Sequence, residues 1–492
     1  PLLKNAIDWA SRPTGDEGLV ALSAYRGKAA AIMSASISPF GGLRGLMHLR
    51  QILSTIQMLV IPEQVVVPNA HAAFAEDFET LLGSKREVSE EVSAAVAAIL
   101  QDVRTRGDEA VLAYTDRFDK LPLTAATLAF STEEIEAADA AISGEVRAAL
   151  QFAHDRITAH HEKQKPLDHI YQDPLGVTLG TVWTPMEAVG IYVPGGTASY
   201  PSSVLMGAIP ARIAGVNRIA LTVPTPGGVV SPAVLAAAKL AGVAEIYRIG
   251  GAQAIAALAY GTETIRPVNK IIGPGNAYVA AAKRQVFGTV GIDSIAGPSE
   301  VLIIADKSAN PSWVAADLLA QAEHGGGAQS ILVTTDAALA DSVAIEVERQ
   351  MALLPRADIT RDGWRTFGAI ILVQSLGEAV ELANRIASEH VELMLDEPLS
   401  LQPKIRNAGA IFLGHHTPEA IGDYVGGSNH VLPTARSARY ASGLGVLDFM
   451  KRTSLLGCDP SSLAELAPAA VTLAETEGLS AHGRSVSIRL NR

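Results

Sequence analysis

Short apolar segments alternate with helix-length segments from residue 188 to residue 413, and this alternation constrains the fold more than any other feature. Each apolar segment has the length of a buried strand, and glycine or proline separates several of them from the amphipathic segment that follows. Strand and helix segments in series predict parallel sheets with helices on both faces. The predicted strands are 188–193, 218–223, 245–249 and 270–272, then 301–305, 330–334, 369–373, 391–395 and 410–413.

The two series of strands predict an α/β fold with two Rossmann-like lobes and a cleft between them. We assign residues 188–299 to the first lobe and residues 300–443 to the second. Residues 62–187 are expected to be the N-terminal helical part of the catalytic lobe, because apolar residues recur there at helix spacing. Residues 444–492 would form a small C-terminal tail domain, in which the alternating pattern of residues 486–490 predicts a strand.

The first 61 residues differ in charge from the rest of the chain. They hold six Lys or Arg against three Asp or Glu, whereas the whole chain has a net charge of −12. A basic, acid-poor start is found in transit peptides, but Asp16 and Glu17 and the lack of an arginine-rich amphipathic run argue against one. We interpret residues 1–61 as an extension of unknown role.

Composition excludes several classes of function. The acidic net charge disfavours nucleic acid as a partner, and an aromatic content of 5% disfavours a surface that stacks bases. The single cysteine, Cys458, excludes an intrachain disulfide and a cysteine-rich zinc site. Because no apolar run reaches the ~18 residues that a membrane span needs, we expect no membrane helix and a cytoplasmic protein.

Glycine-rich turns follow three predicted strands of the first lobe. In open α/β folds, ligands bind beyond the carboxyl ends of the strands, and free amides at helix starts suit phosphate groups. One such turn alone is ordinary loop chemistry, but three in one sheet favour a ligand-binding edge. The standard dinucleotide fingerprint G-x-G-x-x-G does not occur. The three turns are VPGG at 193–196, GGAQ at 250–253 and GPGN at 273–276.

Two other segments carry residues that could do chemistry. Gln321 and His324 lie three residues apart near a helix end, so they share a face and could bind Zn²⁺; a histidine at a helix C-terminus is the alternative. Glu389 and His390 lie where a helix gives way to a strand, and they could transfer protons or simply add surface charge. Asp423 lies in a later glycine-rich stretch and could complete a metal site.

Taken together, these segments resemble histidinol dehydrogenases, the NAD-dependent, zinc-containing enzymes that complete histidine biosynthesis. The resemblance runs from about Gln64 to the C-terminus and excludes the N-terminal extension. Gly445 stands where the family pattern leads us to expect serine. The segments that carry the resemblance are GIYVPGG at 190–196, GGAQA at 250–254, GPGN at 273–276, AGPSE at 296–300, QAEHG at 321–325, SEH at 388–390, NHVLPT at 429–434 and DFMKR at 448–452.

The resemblance implies a role for particular residues. It implies that Glu389 and His390 are the catalytic proton-transfer pair, and that NAD contacts Tyr192, Gln253 and Asn276. It implies one Zn²⁺ per subunit, held by Gln321, His324, Asp423 and His482. It implies substrate contacts from Ser299, Gln321, His324, His390, Asp423, His430, Glu477 and His482.

The resemblance also implies a homodimer in which the C-terminal tail crosses a two-fold axis, so that each site takes Glu477 and His482 from its partner. The implied reaction oxidises histidinol through histidinal to histidine with two NAD⁺. One alternative is a paralogue acting on another small primary alcohol, such as a sulfonated diol, although Glu477 would repel a sulfonate. Another alternative is a metal or nucleotide sensor without catalysis, which would not need Glu389 and His390.

Overall fold

The computed structural model describes residues 90–195, 200–295, 297–325 and 327–490, together with four short strands nearer the N-terminus. The chain divides into two compact units, Pro1–Arg86 and Glu87–Arg492. In the first unit β1 pairs in parallel with β3, and β2 with β4. Most of the predicted extension, and Gly196 of the first glycine turn, lie outside the described residues. The four strands are β1 (Ala29–Ala30), β2 (Met33–Ala35), β3 (Leu59–Val60) and β4 (Val65–Val67).

The first lobe of the second unit is a five-stranded parallel sheet in the order β11-β10-β7-β8-β9. The switch in strand order lies at β7, which is buried along its whole length. The prediction of a parallel sheet for this segment is confirmed. Its strands are β7 (Ala188–Tyr192), β8 (Arg218–Thr222), β9 (Glu245–Tyr247), β10 (Lys270–Ile272) and β11 (Gly291–Ile292).

The second lobe repeats this architecture with the strand order β14-β13-β12-β15-β16, again with all neighbours parallel. The central strands β12 and β15 are buried throughout. The second predicted sheet is therefore also confirmed. Its strands are β12 (Glu300–Ala305), β13 (Gln329–Thr334), β14 (Gly368–Leu372), β15 (His390–Met394) and β16 (Ala410–Leu413).

Helices cover both sheets and precede the first one. α1 packs on α7 and α8, and α4 packs on α5, so the helices ahead of the first lobe cover its two faces. The longer helices are α1 (Glu90–Arg106), α2 (Asp108–Asp119), α3 (Thr132–Ala141), α4 (Gly144–His161), α5 (Pro201–Ala214), α6 (Pro232–Leu240), α7 (Gly251–Tyr260), α8 (Ala277–Val286), α9 (Pro311–Ala322), α10 (Ala337–Met351), α11 (Ala357–Phe367), α12 (Leu376–Ile386), α13 (Glu419–Tyr424), α14 (Pro460–Thr476) and α15 (Ser480–Ser487). None of the helices in the described ranges has the length and apolar character needed to cross a membrane.

Two predictions about the segments outside the lobes were wrong or incomplete. Residues 486–490 are not a strand: α15 and a short 3₁₀ helix (Ile488–Leu490) occupy that region. The helix is favoured because α15 packs against α14. The part before the first lobe is not only helical, since β5 (His169–Gln172) and β6 (Thr178–Pro185) form an antiparallel sheet with β17 (Met450–Gly457).

Apolar side chains fill both faces of each sheet. Small and β-branched residues dominate α5, α7 and β7, and nearly all of them are buried. Removing this surface from water is the main stabilising contribution, at about 25 cal/mol for each Å² buried. The two lobes are therefore rigid supports, and the loops at their edges can hold polar side chains in fixed positions.

Candidate active site between the two lobes

A cavity of about 830 Å³ lies where the two lobes meet. Its volume is within the range of small-molecule sites, which is roughly 300–1,000 Å³. The first lobe contributes residues that follow β7, β10 and β11, such as Pro194, Asn276 and Asp293. The second lobe contributes Ser299 just before β12 and Glu389 just before β15. The cavity thus faces the carboxyl ends of one sheet and the amino ends of the other.

Glu389 and His390 lie together at the amino end of β15, as the sequence suggested, and they are buried rather than on the surface. The left-handed conformation of Ala387 ends α12 and turns the chain into this strand. A Glu389 carboxylate oxygen accepts a hydrogen bond from the Glu300 amide at 3.0 Å. Burial raises the pKa of Glu389 to about 7, against the opposing effect of His390. A carboxylate with this pKa can act as a base near neutral pH.

The two ring nitrogens of His390 have different surroundings. Nδ1 lies 3.0 Å from the Glu300 carbonyl oxygen, which assigns the proton to Nδ1 in the neutral ring. Nε2 faces Asp423, whose Oδ1 is 3.8 Å away. Burial lowers the pKa of His390, but Glu389, Asp423 and Glu419 together outweigh it and raise the pKa to about 10. A cation bound at Asp423 would weaken this effect and free Nε2 to accept a proton.

Gln321, His324 and Asp423 also border the cavity. Gln321 is 0% exposed, and neither polar atom of its side chain has a hydrogen-bond partner within the described ranges. Desolvation lowers the pKa of His324 although Asp423 raises it, so the neutral, metal-binding form is favoured. Burial raises the pKa of Asp423, but His390 and two further histidines outweigh this and lower it. The three side chains offer one nitrogen and two oxygen donors.

His430 joins the two lobes at the cavity. Its Nδ1 donates to the backbone oxygen of Asp423 at 2.9 Å, and its Nε2 lies 3.2 Å from the hydroxyl of Ser203, at the start of α5. Burial lowers the pKa of His430. In the neutral ring Nε2 therefore accepts a hydrogen bond from the Ser203 hydroxyl. Sequence reasoning did not identify Ser203, because nothing in its local sequence marks it.

The three residues that the resemblance connects with NAD occupy the carboxyl edge of the first lobe. Tyr192 ends β7 and borders the cavity, and its hydroxyl accepts a hydrogen bond from the Gly251 amide at 3.2 Å. Asn276 caps α8 by accepting from Tyr278 and Val279, each at 3.1 Å, and it also borders the cavity. Gln253 lies deeper, is buried, and does not border the cavity, and its Oε1 has no partner within the described part of the chain.

Glu477 and His482 are not at the cavity of their own chain. Glu477 follows α14, His482 lies on α15, and both residues are exposed. Ser299 borders the cavity beside Glu389, and the remaining predicted site residues except Gln253 border it as well. Within the described residues no group of three or more His, Cys, Asp or Glu side chains is placed to hold a metal ion.

Buried carboxyl groups behind the site escaped sequence reasoning. Glu419 Oε2 lies 3.5 Å from His390 Nδ1, and Glu392 accepts a hydrogen bond from the Glu419 amide at 2.8 Å. Burial raises the pKa of Glu419 to about 8 and, in α9, that of Asp317 to about 6. Burial also raises the pKa of Glu392, with the nearby Asp317 and Glu419 adding to the effect. In the sequence, the sign of these buried acids was Glu392, a charged residue within the otherwise apolar part of β15.

We compared the sequence and the fold of the chain with those of known proteins. Residues 83–490 match the family model described as histidinol dehydrogenase. The chain belongs to the histidinol dehydrogenase family. It is 64% identical over 419 residues to the histidinol dehydrogenase of Rhizobium meliloti (strain 1021), covering 85% of this chain and 96% of the relative. It is also 64% identical over 422 residues to that of Agrobacterium fabrum, with coverages of 86% and 98%.

A solved histidinol dehydrogenase from Elizabethkingia anophelis has the same fold. The two structures match with a TM-score of 0.82 and 39% sequence identity. The match covers 85% of this chain and 96% of the solved one. As a histidinol dehydrogenase family member the chain is an oxidoreductase, and the interpretation as a metal or nucleotide sensor falls away. The family match begins at residue 83, later than Gln64, where we placed the start of the resemblance.

The N-terminal unit matches a different family. Residues 1–72 match the model described as NADPH-dependent FMN reductase, which sequence reasoning did not anticipate. The two matches do not overlap, and the division between the compact units falls at Arg86 and Glu87, close to the start of the histidinol dehydrogenase match. The N-terminal segment thus differs from the rest of the chain in the family model that it matches, and the domain boundaries given above remain predictions.

Proposed function

We propose that the chain oxidises L-histidinol through L-histidinal to L-histidine with two NAD⁺, using the cavity between the lobes. The observation that supports this most is the buried pair Glu389 and His390 beside three metal-type donors in a cavity of small-molecule size. Its relatives carry the name of this activity at 64% identity. They favour it over oxidation of another primary alcohol on the same scaffold.

The chain's residues fit one Zn²⁺ per subunit. Gln321 is fully buried with both polar atoms unpartnered in the described part of the chain, an arrangement that costs free energy unless a ligand binds there. Neutral His324 and ionised Asp423 supply nitrogen and oxygen donors of the kind that zinc accepts. When bound, Zn²⁺ would hold the amine and imidazole of histidinol and polarise its oxygen, without taking part in electron transfer.

The carboxyl edge of the first lobe fits NAD. The amino ends of α5 and α8 point towards the cavity, and helix amino ends favour the negative charge of a pyrophosphate. Tyr192 and Asn276 border the same edge, and the unpartnered Oε1 of Gln253 lies behind it. When bound, NAD⁺ would accept a hydride from the carbon that carries the substrate oxygen.

His390 would act as the base in the first half-reaction. Its Nδ1 is committed to the Glu300 carbonyl, so Nε2 is the nitrogen that can accept the hydroxyl proton of the alcohol, once a cation at Asp423 offsets the charges that raise the pKa of the ring. Nε2 has no hydrogen-bond partner within the described ranges, and it points to the side of the cavity where Asp423 lies. The ring is held by strand β15 and is therefore already oriented before substrate arrives.

Glu389 would act in the second half-reaction. Oxidation of the aldehyde needs a water molecule, and a buried carboxylate with a pKa of about 7 can take a proton from that water as it attacks the carbonyl carbon. The amide of Glu300, 3.0 Å from one carboxylate oxygen, and the side chain of Ser299 hold the carboxylate in place. Keeping the aldehyde in the same cavity for both steps would prevent its escape.

We further propose that the site is completed by a second copy of the chain. Glu477 and His482 are exposed and do not border their own chain's cavity, so a partner's tail is the source that the family resemblance implies. Leu456, Leu473 and Ile170 are exposed on the tail and on the adjoining antiparallel sheet. Exposed apolar groups of this kind suit a symmetric dimer in which both tails exchange.

Dinucleotide reduction tests the proposal directly. The purified protein should reduce two NAD⁺ for each histidinol oxidised, and it should act poorly on a sulfonated diol of similar size. A strong chelator should abolish the activity and added Zn²⁺ should restore it, with His324→Asn lowering both metal content and rate. His416→Asn, which changes a histidine outside the cavity, is the matched control. Full activity of metal-free protein, or preference for the sulfonate, would disprove the assignment.

A further inference from the structure

An ion pair lies in the interior of the first lobe beside the loop that follows β10. Lys283, on α8, is 2% exposed, and its ammonium group contacts the carboxylate of Asp293. Asp293 follows β11 and borders the cavity. Neither residue has a part in the reaction proposed above. A buried lysine paired in this way therefore calls for another explanation.

Both members of the pair bind the backbone of one residue, Gly273. Lys283 Nζ donates to the Gly273 carbonyl oxygen at 2.9 Å, and Asp293 Oδ2 accepts from the Gly273 amide at 2.8 Å. Gly273 has a φ of +114°, and a Cβ at this position would lie 2.1 Å from the Tyr192 carbonyl oxygen. The strand end is therefore tightly packed, and its orientation is set by the ion pair on one side and by β7 on the other.

The loop that the pair holds leads directly into the cavity. Pro274, Gly275 and Asn276 follow Gly273 and all border it, and Asn276 begins α8. Since Lys283 lies on the same helix, the pair connects the start of the loop with the body of α8. A change in the position of Gly273 would therefore move Asn276 relative to the cavity.

We propose that Lys283 and Asp293 are positioning residues that set the affinity for the dinucleotide by fixing Gly273 and, through it, Asn276. This inference rests on the proposed binding of NAD at the carboxyl edge of the first lobe. A buried ion pair adds little stability compared with an apolar pair of the same volume, because the loss of hydration offsets the attraction. Its geometry, in contrast, is strict, and here it specifies the two hydrogen bonds to Gly273.

Two variants separate positioning from stability. Lys283→Met removes the donor to the Gly273 carbonyl and leaves the Asp293 carboxylate buried without its partner. Adding Asp293→Asn removes that charge, while the Asn amide oxygen can still accept from the Gly273 amide. Lys270→Met is the matched control, since Lys270 lies at the other end of β10, pairs with Asp448 at 3.0 Å and does not border the cavity.

The measurements are the dissociation constant for NADH from a fluorescence titration of the zinc-loaded protein, the melting temperature, and kcat at saturating NAD⁺. Lys283→Met should lower the melting temperature and weaken NADH binding about 10-fold or more, since small displacements at a binding site have effects of this size. The double variant should regain most of the melting temperature but keep the weakened binding. Lys270→Met should lower the melting temperature but leave NADH binding unchanged. The kcat value should stay near that of the wild type in all three variants.

The double variant decides the result even if Lys283→Met alone fails to fold. NADH affinity that recovers together with the melting temperature would overturn the inference, because the pair would then act only through stability. Wild-type affinity in folded Lys283→Met would also overturn it. If the wild-type protein itself fails to bind NADH, the proposed function is wrong. If the wild type and the variants bind NADH equally well, only the inference about Lys283 and Asp293 is wrong.

Discussion

The two lobes have the same sheet architecture but turn opposite edges towards the cavity. The first lobe presents the carboxyl ends of its strands, followed by glycine turns and by the amino ends of α5 and α8. The second lobe presents the amino ends of β12 and β15, together with the carboxyl end of α9. Because helix amino ends carry partial positive charge and carboxyl ends partial negative charge, the first edge suits an anion and the second a cation.

The two lobes also differ in whether their buried charged side chains have a partner of opposite charge. In the first lobe the buried or half-buried charges are paired, as in Lys283 with Asp293 and Arg218 with Glu245. In the second lobe three acids behind the site have raised pKa values and no Lys or Arg partner among the described salt bridges: Asp317, Glu392 and Glu419. The difference fits the proposed function, in which the first edge would bind the dinucleotide and the second would carry the proton chemistry.

The largest effect is expected at the edge of the second lobe. Glu389→Gln should slow oxidation of the aldehyde by about 10²- to 10⁴-fold, the usual contribution of a general base, and spare reduction of the aldehyde to the alcohol. Steady-state rates in both directions give the comparison. Glu397→Gln, an exposed glutamate outside the cavity, should leave both rates unchanged. Equal losses in both directions would show that Glu389 is structural and would remove the chemical contrast between the lobes.

Mixing two inactive variants tests whether the second-lobe edge is completed by a partner. His390→Asn and His482→Asn, unfolded and refolded together, should regain about a quarter of wild-type activity, since about half of randomly paired dimers hold one intact site. Each variant refolded alone is the control. If the tail serves its own chain, every site in the mixed dimers keeps one defect and the mixture stays inactive.

A third prediction compares equivalent helix caps in the two lobes. Asn276 caps α8 at the cavity, and Asn310 caps α9 away from it. Aspartate keeps the capping oxygen, but at position 276 it places a negative charge beside an anionic dinucleotide. Asn276→Asp should raise the KM for NAD⁺ about 10-fold, a change of about 1.4 kcal/mol, whereas Asn310→Asp should leave it unchanged. Equal KM values would show that the first edge does not face the dinucleotide.

The smallest effect concerns the acids behind the second lobe. The pKa of Asp317 is raised from 3.8 to about 6, so the folded state binds a proton more tightly than the unfolded state. Its contribution to stability is therefore present below about pH 4 and is lost as the pH rises through 6. Asp317→Asn should raise the melting temperature at pH 8 by roughly 2 °C and change it less at pH 5. Asp341→Asn, an exposed site, is the control, and equal effects at both pH values would contradict the assignment.

Local sequence patterns were informative where an element depends on its own residues. β10 and β16 have the predicted bounds because a short apolar run is closed by turn residues at both ends. β17 was not predicted, since its residues are mostly exposed and it pairs with β6, more than 260 residues earlier in the chain. Residues 486–490, which form the end of α15 and the 3₁₀ helix after it, were mistaken for a strand because five alternating residues fit either structure until packing decides.

The features of the site likewise fall into those that the sequence determines and those that depend on the tertiary structure. Sequence alone determined two series of strand–helix units and the positions of the glycine turns, Gln321, His324, Glu389 and His390, because these are properties of neighbouring residues and of the family resemblance. Tertiary structure decided which edge of each sheet faces the cavity, and which carboxylates surround His390. It also decided that Lys283 and Asp293 hold Gly273. Electric fields and burial depend on segments that are distant in the chain, and no local pattern records them.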